Sequence, residues 1–291
     1  MRGTRLLPRV DGEAHEFEFT EEDFGRIRRW LYDHAGIHLR DHKMHMVYSR
    51  LSRRLRTLNF TRFRDYLNFV GQDAQEWERF VNALTTNLTQ FFREAHHFQT
   101  LAAQAQAALT ARTVSHDKPF EVWCAAASTG EEAYSIAIAL LETLGDGAPI
   151  KILASDIDTD VLKKAAAGIY GLERLRSLDE TRRKRFFLRG VGPNHGFARV
   201  RGEVCATVEF ARINLLEAET WPTRKFDAVF CRNVMIYFDK PTQRRLLERF
   251  AATLRPEGLF YAGHSESLHH AADLFSARGR TVYALKTEGG K

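Results

Sequence analysis

Val122-Trp-Cys-Ala-Ala-Ala-Ser-Thr-Gly-Glu-Glu-Ala-Tyr-Ser-Ile-Ala-Ile-Ala-Leu140 reads as a buried strand, a turn of very small residues and then a helix. Only Ala, Ser and Gly let a bulky ligand lie against the backbone where such a strand ends. In open α/β sheets, nucleotides bind in that crevice, at the carboxyl ends of the strands. A helix N-terminus ordinarily favours anions, yet Glu131 and Glu132 occupy this first turn. No lysine follows the glycine, as a phosphate-binding loop requires. The segment suits a nucleoside-like ligand with hydroxyls and a positive charge better than a di- or triphosphate.

Around this segment, 291 residues give room for two domains, and the balance of 44% hydrophobic to 27% charged residues is that of a soluble globular chain. No apolar run approaches a membrane span. The first nine residues carry basic side chains without the apolar stretch of a signal peptide. Cys124, Cys205 and Cys231 show no metal-ligand spacing and lie in apolar surroundings, which predicts reduced thiols in a cytoplasmic protein. The net charge is +6, with much of the basic excess between Arg40 and Arg64. A basic surface implies an acidic partner: nucleic acid, an anionic membrane face or an acidic protein.

The chain changes rhythm near residue 87. After a tail of residues 1–15, residues 16–86 read as a small helical bundle. Thr20-Glu-Glu-Asp23 starts a helix in capping-box fashion, and Gly36 stops it. Met44, Val47, Leu51 and Leu55 share one face of a second helix. Thr61 is positioned to cap a third, and Asp73 opens a fourth. Residues 87–291 begin with a helix at about Glu94–Thr110. Strands at Phe120–Ala125, Ile150–Ala154, Phe226–Cys231, Gly258–Ala262 and Thr281–Leu285 then alternate with helices. Alternation of this kind predicts an α/β domain with a mostly parallel, Rossmann-like sheet. Short strands with Gly, Pro and Asn turns over about 185–212 predict a small inserted antiparallel β-subdomain.

Several clusters carry chemistry. Ile152-Leu-Ala-Ser-Asp-Ile-Asp158 ends a strand with two acids; Asp156 suits ribose hydroxyls, and Asp158 suits the cap of the next helix. Phe226–Phe238 ends in Cys231, Arg232 and Asn233, with Tyr237 beyond. Core packing for Tyr237 and an ion pair for Arg232 are the plainer alternatives. Thr85–Phe98 links the two parts and holds Asn87, Thr89 and Arg93 around an aromatic pair. His96 and His97 are adjacent, so they are expected on different sides of a helix and make a poor metal pair. His264 reads as structural.

Taken together, Asn-Leu-Thr-Gln-Phe-Phe-Arg-Glu, Ala-Ala-Ser-Thr-Gly-Glu-Glu, Ala-Ser-Asp-Ile-Asp, Asn-Leu-Leu, Cys-Arg-Asn-Val-Met-Ile-Tyr-Phe and Gly-His-Ser-Glu resemble the CheR family. These are S-adenosylmethionine-dependent methyltransferases that esterify glutamates on bacterial chemoreceptors. The resemblance runs from about Phe24 to Leu285. It implies that Asn87, Thr89, Arg93, Glu131, Asp156, Asn214, Leu215 and Arg232, with Cys231 beside the last, hold S-adenosylmethionine or its product S-adenosylhomocysteine, without a metal. It implies further that Arg93 and Tyr237 face the reacting centre. Glu131 is then placed to meet the cofactor's amino group, with Glu132 as the alternative. The turn Ala-Ser-Thr-Gly-Glu-Glu departs from the glycine-rich turn of most such methyltransferases and is this family's own version.

Two surfaces follow from this reading. Arg50, Arg53 and Arg54 lie side by side on the second helix, either as a solvated face or as a docking surface for acidic receptor helices. The loop bearing Gly190, Gly192 and Gly196, with Arg199 and Arg201 beyond, looks like the version of the family that grips a receptor's C-terminal tether by strand addition. A plain hairpin with solvated arginines is the alternative. Methyl transfer to an acidic protein outside chemotaxis, and a cofactor-binding regulatory module without turnover, are the competing functions. Nucleic-acid binding is disfavoured, because no stacking aromatics interleave with the arginines.

Overall fold

Thr20 accepts a hydrogen bond from the Asp23 N–H at 3.1 Å, and Asp23 accepts from the Thr20 N–H at 3.0 Å, closing the capping box of α1 (Glu21–Ala35). In the computed structural model, which describes residues 16–286, this helix opens a bundle with α2 (Met44–Leu58), α3 (Phe63–Val70) and α4 (Ala74–Leu84). The expected N-terminal tail, residues 1–15, lies outside the described residues. Ile27, Leu31, Val47, Leu51, Leu55, Phe63, Tyr66, Leu67 and Phe80 are wholly buried in the bundle. Asp73 caps α4 as expected, but Thr61 does not cap α3: Arg62 precedes that helix, with no side-chain cap bond. Residues up to Thr86 form one unit with Tyr237–Asp239, where the Tyr237 carbonyl accepts from the His38 N–H and Asp239 from the Tyr32 hydroxyl.

The second unit comprises Asn87–Ile236 and the chain from Lys240. It runs α5 (His96–Thr110), β1 (Phe120–Ala125), α6 (Glu131–Leu144), β2 (Ile150–Asp156) and α7 (Thr159–Ala167), then β3 (Ile169–Gly171), α8 (Glu180–Phe186), β4 (Phe187–Arg189) and β5 (Phe197–Val200). It continues with α9 (Gly202–Cys205), β6 (Val208–Arg212), β7 (Phe226–Cys231), α10 (Lys240–Thr253), β8 (Leu254–Ala262), β9 (Phe275–Gly279) and β10 (Val282–Leu285). A seven-stranded sheet has the order β6-β2-β1-β7-β8-β10-β9. The first five strands are parallel, and β10 and β9 close the edge antiparallel. Both faces of β1 are covered, as its apolar run from Val122 to Ala125 requires. Trp123 packs on Trp221, Phe226 and Phe250 on one side, while Phe120, Val122 and Cys124 join the core around Tyr134 and Phe230 on the other.

The inserted sheet departs from the expected 185–212. It is three-stranded, in the order β3-β5-β4, and so begins at Ile169 and ends at Val200. The run Val208–Arg212 instead pairs parallel with β2 at the edge of the main sheet. Its half-buried alternation looks the same in either sheet. β3, with three residues, is too short to show a period.

Candidate active site

The chain steps outward from β1 to β2 and β6, then returns to β7 on the other side of β1. This reversal opens a crevice at the carboxyl ends of β1 and β7. Around it lie the turn after β1, Asp156 at the end of β2, Asn214 and Leu215 after β6, Cys231 and Arg232 at the end of β7, and Gly263 and His264 after β8. The structure therefore gathers residues more than one hundred positions apart along one edge of the sheet.

The small turn is shaped by unusual backbone. Ala126, Ser128 and Gly130 have φ of 63, 51 and 95°. Such conformations are disfavoured for residues with a Cβ, so their neighbours must hold them. Gly130 has no substitute, because a Cβ there would lie 2.8 Å from both the Ala165 Cβ and the Tyr170 hydroxyl oxygen. Asp156 provides the holding contact. Its Oδ2 accepts from the Ser128 N–H at 2.8 Å, and its Oδ1 from the Asp158 N–H at 3.0 Å. Burial pushes the Asp156 carboxyl up to about 6, against the lowering effect of these backbone bonds. A carboxylate has about four lone-pair directions. Asp156 therefore keeps acceptor capacity beyond these two bonds. Asp158 caps α7 through the Asp160 and Val161 N–H groups and also accepts from the Asn87 side chain.

Glu131 and Glu132 are both engaged inside the unit. Glu131 is fully buried, accepts from the Thr129 hydroxyl at 2.6 Å and is paired with Arg174. The acidic helix start expected to meet a cationic ligand is thus paired, at Glu131, inside the unit. A carboxylate this deep requires a charged partner, and Arg174 was not legible as one, since it sits in a polar stretch with no motif. Glu132 accepts from Arg232 Nη1 at 2.5 Å. Arg232 also donates through Nη2 to the Arg93 carbonyl at 2.6 Å, while its buried Nε has no hydrogen-bond partner. That Nε is a donor left over for a ligand, and together with Asp156 and the small turn it fits a nucleoside cofactor bearing polar acceptors.

Arg93 is the loosely held cation. It is half-buried, 3.4 Å from the Leu88 carbonyl and 4.0 Å from Glu94. Glu94 lies 3.3 Å from Arg232, 3.6 Å from His97 and 3.1 Å from His264. Burial raises the Glu94 carboxyl, but Arg232 and His264 outweigh it and leave it below its ordinary value. His96 and His97 do not diverge as expected: both bond the Arg280 carbonyl, and with Glu94 their ligand atoms lie within 4.8 Å of one another. Arg232 on the same carboxylate disfavours a dication there. His97 is instead a buried neutral ring, pushed down to about 4 by burial and by Arg232.

The remaining expected residues fall as follows. Thr89 is half-buried next to the exposed Leu88. Asn214 shapes its own turn through the Glu217 carboxylate and the Leu216 N–H, and the Leu215 carbonyl accepts from Trp221. Burial raises the Cys231 thiol well above its ordinary range, so it is an unreactive packing residue. In the helical unit, Arg54 forms a two-pronged pair with buried Glu76 at 2.9 and 2.6 Å, and Arg50 donates to the Thr85 carbonyl. Of the three docking candidates, Arg53 is the exposed one. In the small sheet, Gly190 closes the turn against Phe197 and Asn194, and Gly192 and Gly196 supply φ of 56 and 94°. Arg199 lies on the exposed face between Ile169 and Leu188 in register, whereas Arg201 turns back to the Lys184 carbonyl.

Residues 87–284 match the family model described as CheR methyltransferase, SAM binding domain, and residues 22–85 match CheR methyltransferase, all-alpha domain. These define an S-adenosylmethionine-dependent methyltransferase. The chain belongs to the CheR family, whose members act in chemotaxis. It is 56% identical over 270 residues to Chemotaxis protein methyltransferase 2 of Pseudomonas aeruginosa, covering 92% of this chain and 95% of that protein. It is 50% identical over 273 residues to Chemotaxis protein methyltransferase of Escherichia coli, covering 92% of each. With Probable chemotaxis protein methyltransferase of Rhizobium etli the identity is 38%, over 89% of this chain and 98% of that one. Among the described residues, no helix is long and apolar enough to cross a membrane.

Proposed function

We propose that this enzyme transfers methyl groups to side-chain carboxylates of glutamates on chemoreceptors in the cytoplasm, giving methyl esters and S-adenosylhomocysteine. The observation that carries this reading is the charge arrangement around Arg93. Arg232 is occupied by Glu132 and by the Arg93 carbonyl, which leaves the Arg93 guanidinium as the weakly engaged cation at the strand ends. S-adenosylmethionine, when bound, supplies an electrophilic methyl on a cationic sulfur. An exposed glutamate, with pKa about 4.3, is already ionised at neutral pH and needs no general base. Holding the carboxylate in line is then the protein's task, and positioning of this kind lowers barriers by several kcal/mol. Arg93 orients it by charge-assisted hydrogen bonds; Tyr237 shares the role by the family resemblance. Asn87, Thr89, Asp156, Asn214 and Leu215 line the cofactor, and Glu131 or Glu132 steers its amino group.

Arg53 is assigned to docking of acidic receptor helices. The small sheet is assigned to a receptor's C-terminal peptide. Its strands β3 and β4 are both edges, and a cavity of about 470 Å³ is lined by Leu172, Leu175, Phe187 and Ala198 together with Arg183, Lys184, Arg189 and Glu180. That lining suits an acidic peptide with a large apolar side chain.

Tritiated methyl transfer from S-adenosylmethionine to receptor membranes, followed by alkaline release of methanol, tests the reading. Base-labile label on the receptor is expected. Its absence, with intact S-adenosylhomocysteine binding, assigns a different acceptor. Wild-type single-turnover rates in both Arg93→Ala and Tyr237→Phe remove those two residues from the mechanism.

A further inference from the structure

Glu94 stands where donors converge on one carboxylate, from a backbone position held at φ 60°, two residues after Phe92 at φ 53°. Its Oε2 faces inward, toward Arg232 and His97, and both of those side chains are buried. Its Oε1 faces His264, whose Nδ1 lies at 3.1 Å and whose main-chain N–H lies at 3.4 Å. Arg93 Nε is 4.0 Å from that same oxygen. His264 differs from the other members of the cluster in being open to solvent, with 65% of its side chain exposed.

This geometry fixes the place of one ring proton. A carboxylate oxygen only accepts, so Nδ1 of His264 carries a proton and points inward. The distal Nε2 makes no hydrogen bond among the described residues. An exposed imidazole ordinarily samples its rotamers freely. This one is held by its Nδ1 bond to Glu94, so part of the ordering cost of a contact made by Nε2 is met before a substrate arrives. The ring leaves the carboxyl end of β8, beside the β7 end that carries Arg232, and shares Glu94 with Arg93. Glu266 fixes the same edge by accepting from the Asn233 N–H at 2.9 Å and the Gly263 N–H at 2.6 Å.

We infer that His264 is a second contact for the acceptor carboxylate, Nδ1 donating to Glu94 and Nε2, when the ring carries both protons, donating to the receptor glutamate while Arg93 holds the same carboxylate. This assignment rests on the reading of the acceptor as a glutamate. The ionisable groups facing the ring are Glu94 directly, and Arg93, Arg232 and His97 through it.

Asn and Gln at position 264 separate the two nitrogens. His264→Asn places an amide where Nδ1 was and keeps the bond to Glu94, whereas His264→Gln reaches toward the position of Nε2. With receptor membranes as substrate, His264→Asn and His264→Ala are expected to raise the receptor KM roughly tenfold or more, as loss of a hydrogen bond to a charged group does. His264→Gln stays within about threefold of wild type, and calorimetric affinity for S-adenosylhomocysteine is unchanged in all three variants. A wild-type KM in His264→Asn, or the same KM in His264→Gln as in His264→Ala, overturns the assignment and leaves a structural prop for Glu94. Absence of base-labile label from the wild type overturns the glutamate reading and this assignment with it.

Discussion

Arg232 and Glu132, 100 residues apart in sequence, meet at 2.5 Å with only 1% and 13% of their side chains exposed. The pair ties α6 to the end of β7, and the second prong of Arg232 ties both to the turn carrying Arg93. Removing one partner strands a buried charge, which costs about 3–5 kcal/mol. Glu132→Gln is therefore expected to lower the urea midpoint by a corresponding amount, with an unchanged slope. A wild-type midpoint would show that Glu94, 3.3 Å away, and the Arg93 carbonyl suffice to hold the guanidinium.

The cofactor contact proposed for Asp156 is expected to show as a pH dependence. Its carboxyl sits near 6, so the accepting, ionised form is depleted as the pH falls below that value. Affinity for S-adenosylhomocysteine is expected to fall below pH 6, approaching tenfold per pH unit. Asp156→Asn binds roughly 10- to 100-fold more weakly at pH 7.5 and lacks that acidic dependence. Calorimetry between pH 5 and 8 checks both; a flat wild-type curve contradicts the role of the carboxylate.

His97 makes stability depend on pH in a definite sense. The folded ring holds its proton only below about 4, whereas an unfolded histidine does so below about 6.5. Its contribution is therefore complete above 6.5 and is lost as the pH falls toward 4. His97→Gln keeps a donor for the Arg280 carbonyl and removes the titration. The loss of urea midpoint between pH 7.5 and 5 is expected to be smaller in this variant than in wild type. Asp156 titrates in the opposite sense in both proteins and drops out of the comparison.

Arg53 and Arg54, neighbours in sequence, are expected to fail differently. Arg54 neutralises Glu76, which is 1% exposed and also accepts from the Tyr66 hydroxyl at 3.0 Å. Arg54→Ala is expected to destabilise the helical unit by about 3 kcal/mol or more. Arg53→Glu leaves the midpoint within about 0.5 kcal/mol and raises the receptor KM without changing cofactor affinity. Equal receptor KM in Arg53→Glu and wild type would remove α2 from docking.

The parallel sheet was legible because Phe120–Ala125 and Phe226–Cys231 are apolar at every position but the second, where Glu121 and Asp227 stand, a pattern close to that of strands buried on both faces. Asp156 was legible as an acid at a strand end, but its bonds to the Ser128 and Asp158 N–H groups were not. The extent of the small sheet was not, because three-residue strands carry no period and β6 has the same half-buried alternation as an inserted hairpin. Partner choice was the least legible. Arg54 looked like one of three equivalent surface charges until the chain placed buried Glu76 against it. Glu131 looked open until Arg174 covered it. His97 and His264 gave no signal at all, since a histidine's role is set by which atoms the fold turns toward its two nitrogens.

Tyr170, on β3 of the small sheet, donates its hydroxyl to the Thr129 carbonyl at 2.7 Å, in the turn that follows β1. That bond, with the Arg174–Glu131 pair beside it, gives the two sheets a common lever. A peptide that stiffens β3 and a cofactor that fills the turn would each reduce the other's ordering cost, and linkage requires the two gains to be equal. Tyr170→Phe would cut one strand of that lever and leave the Arg174–Glu131 pair as the other.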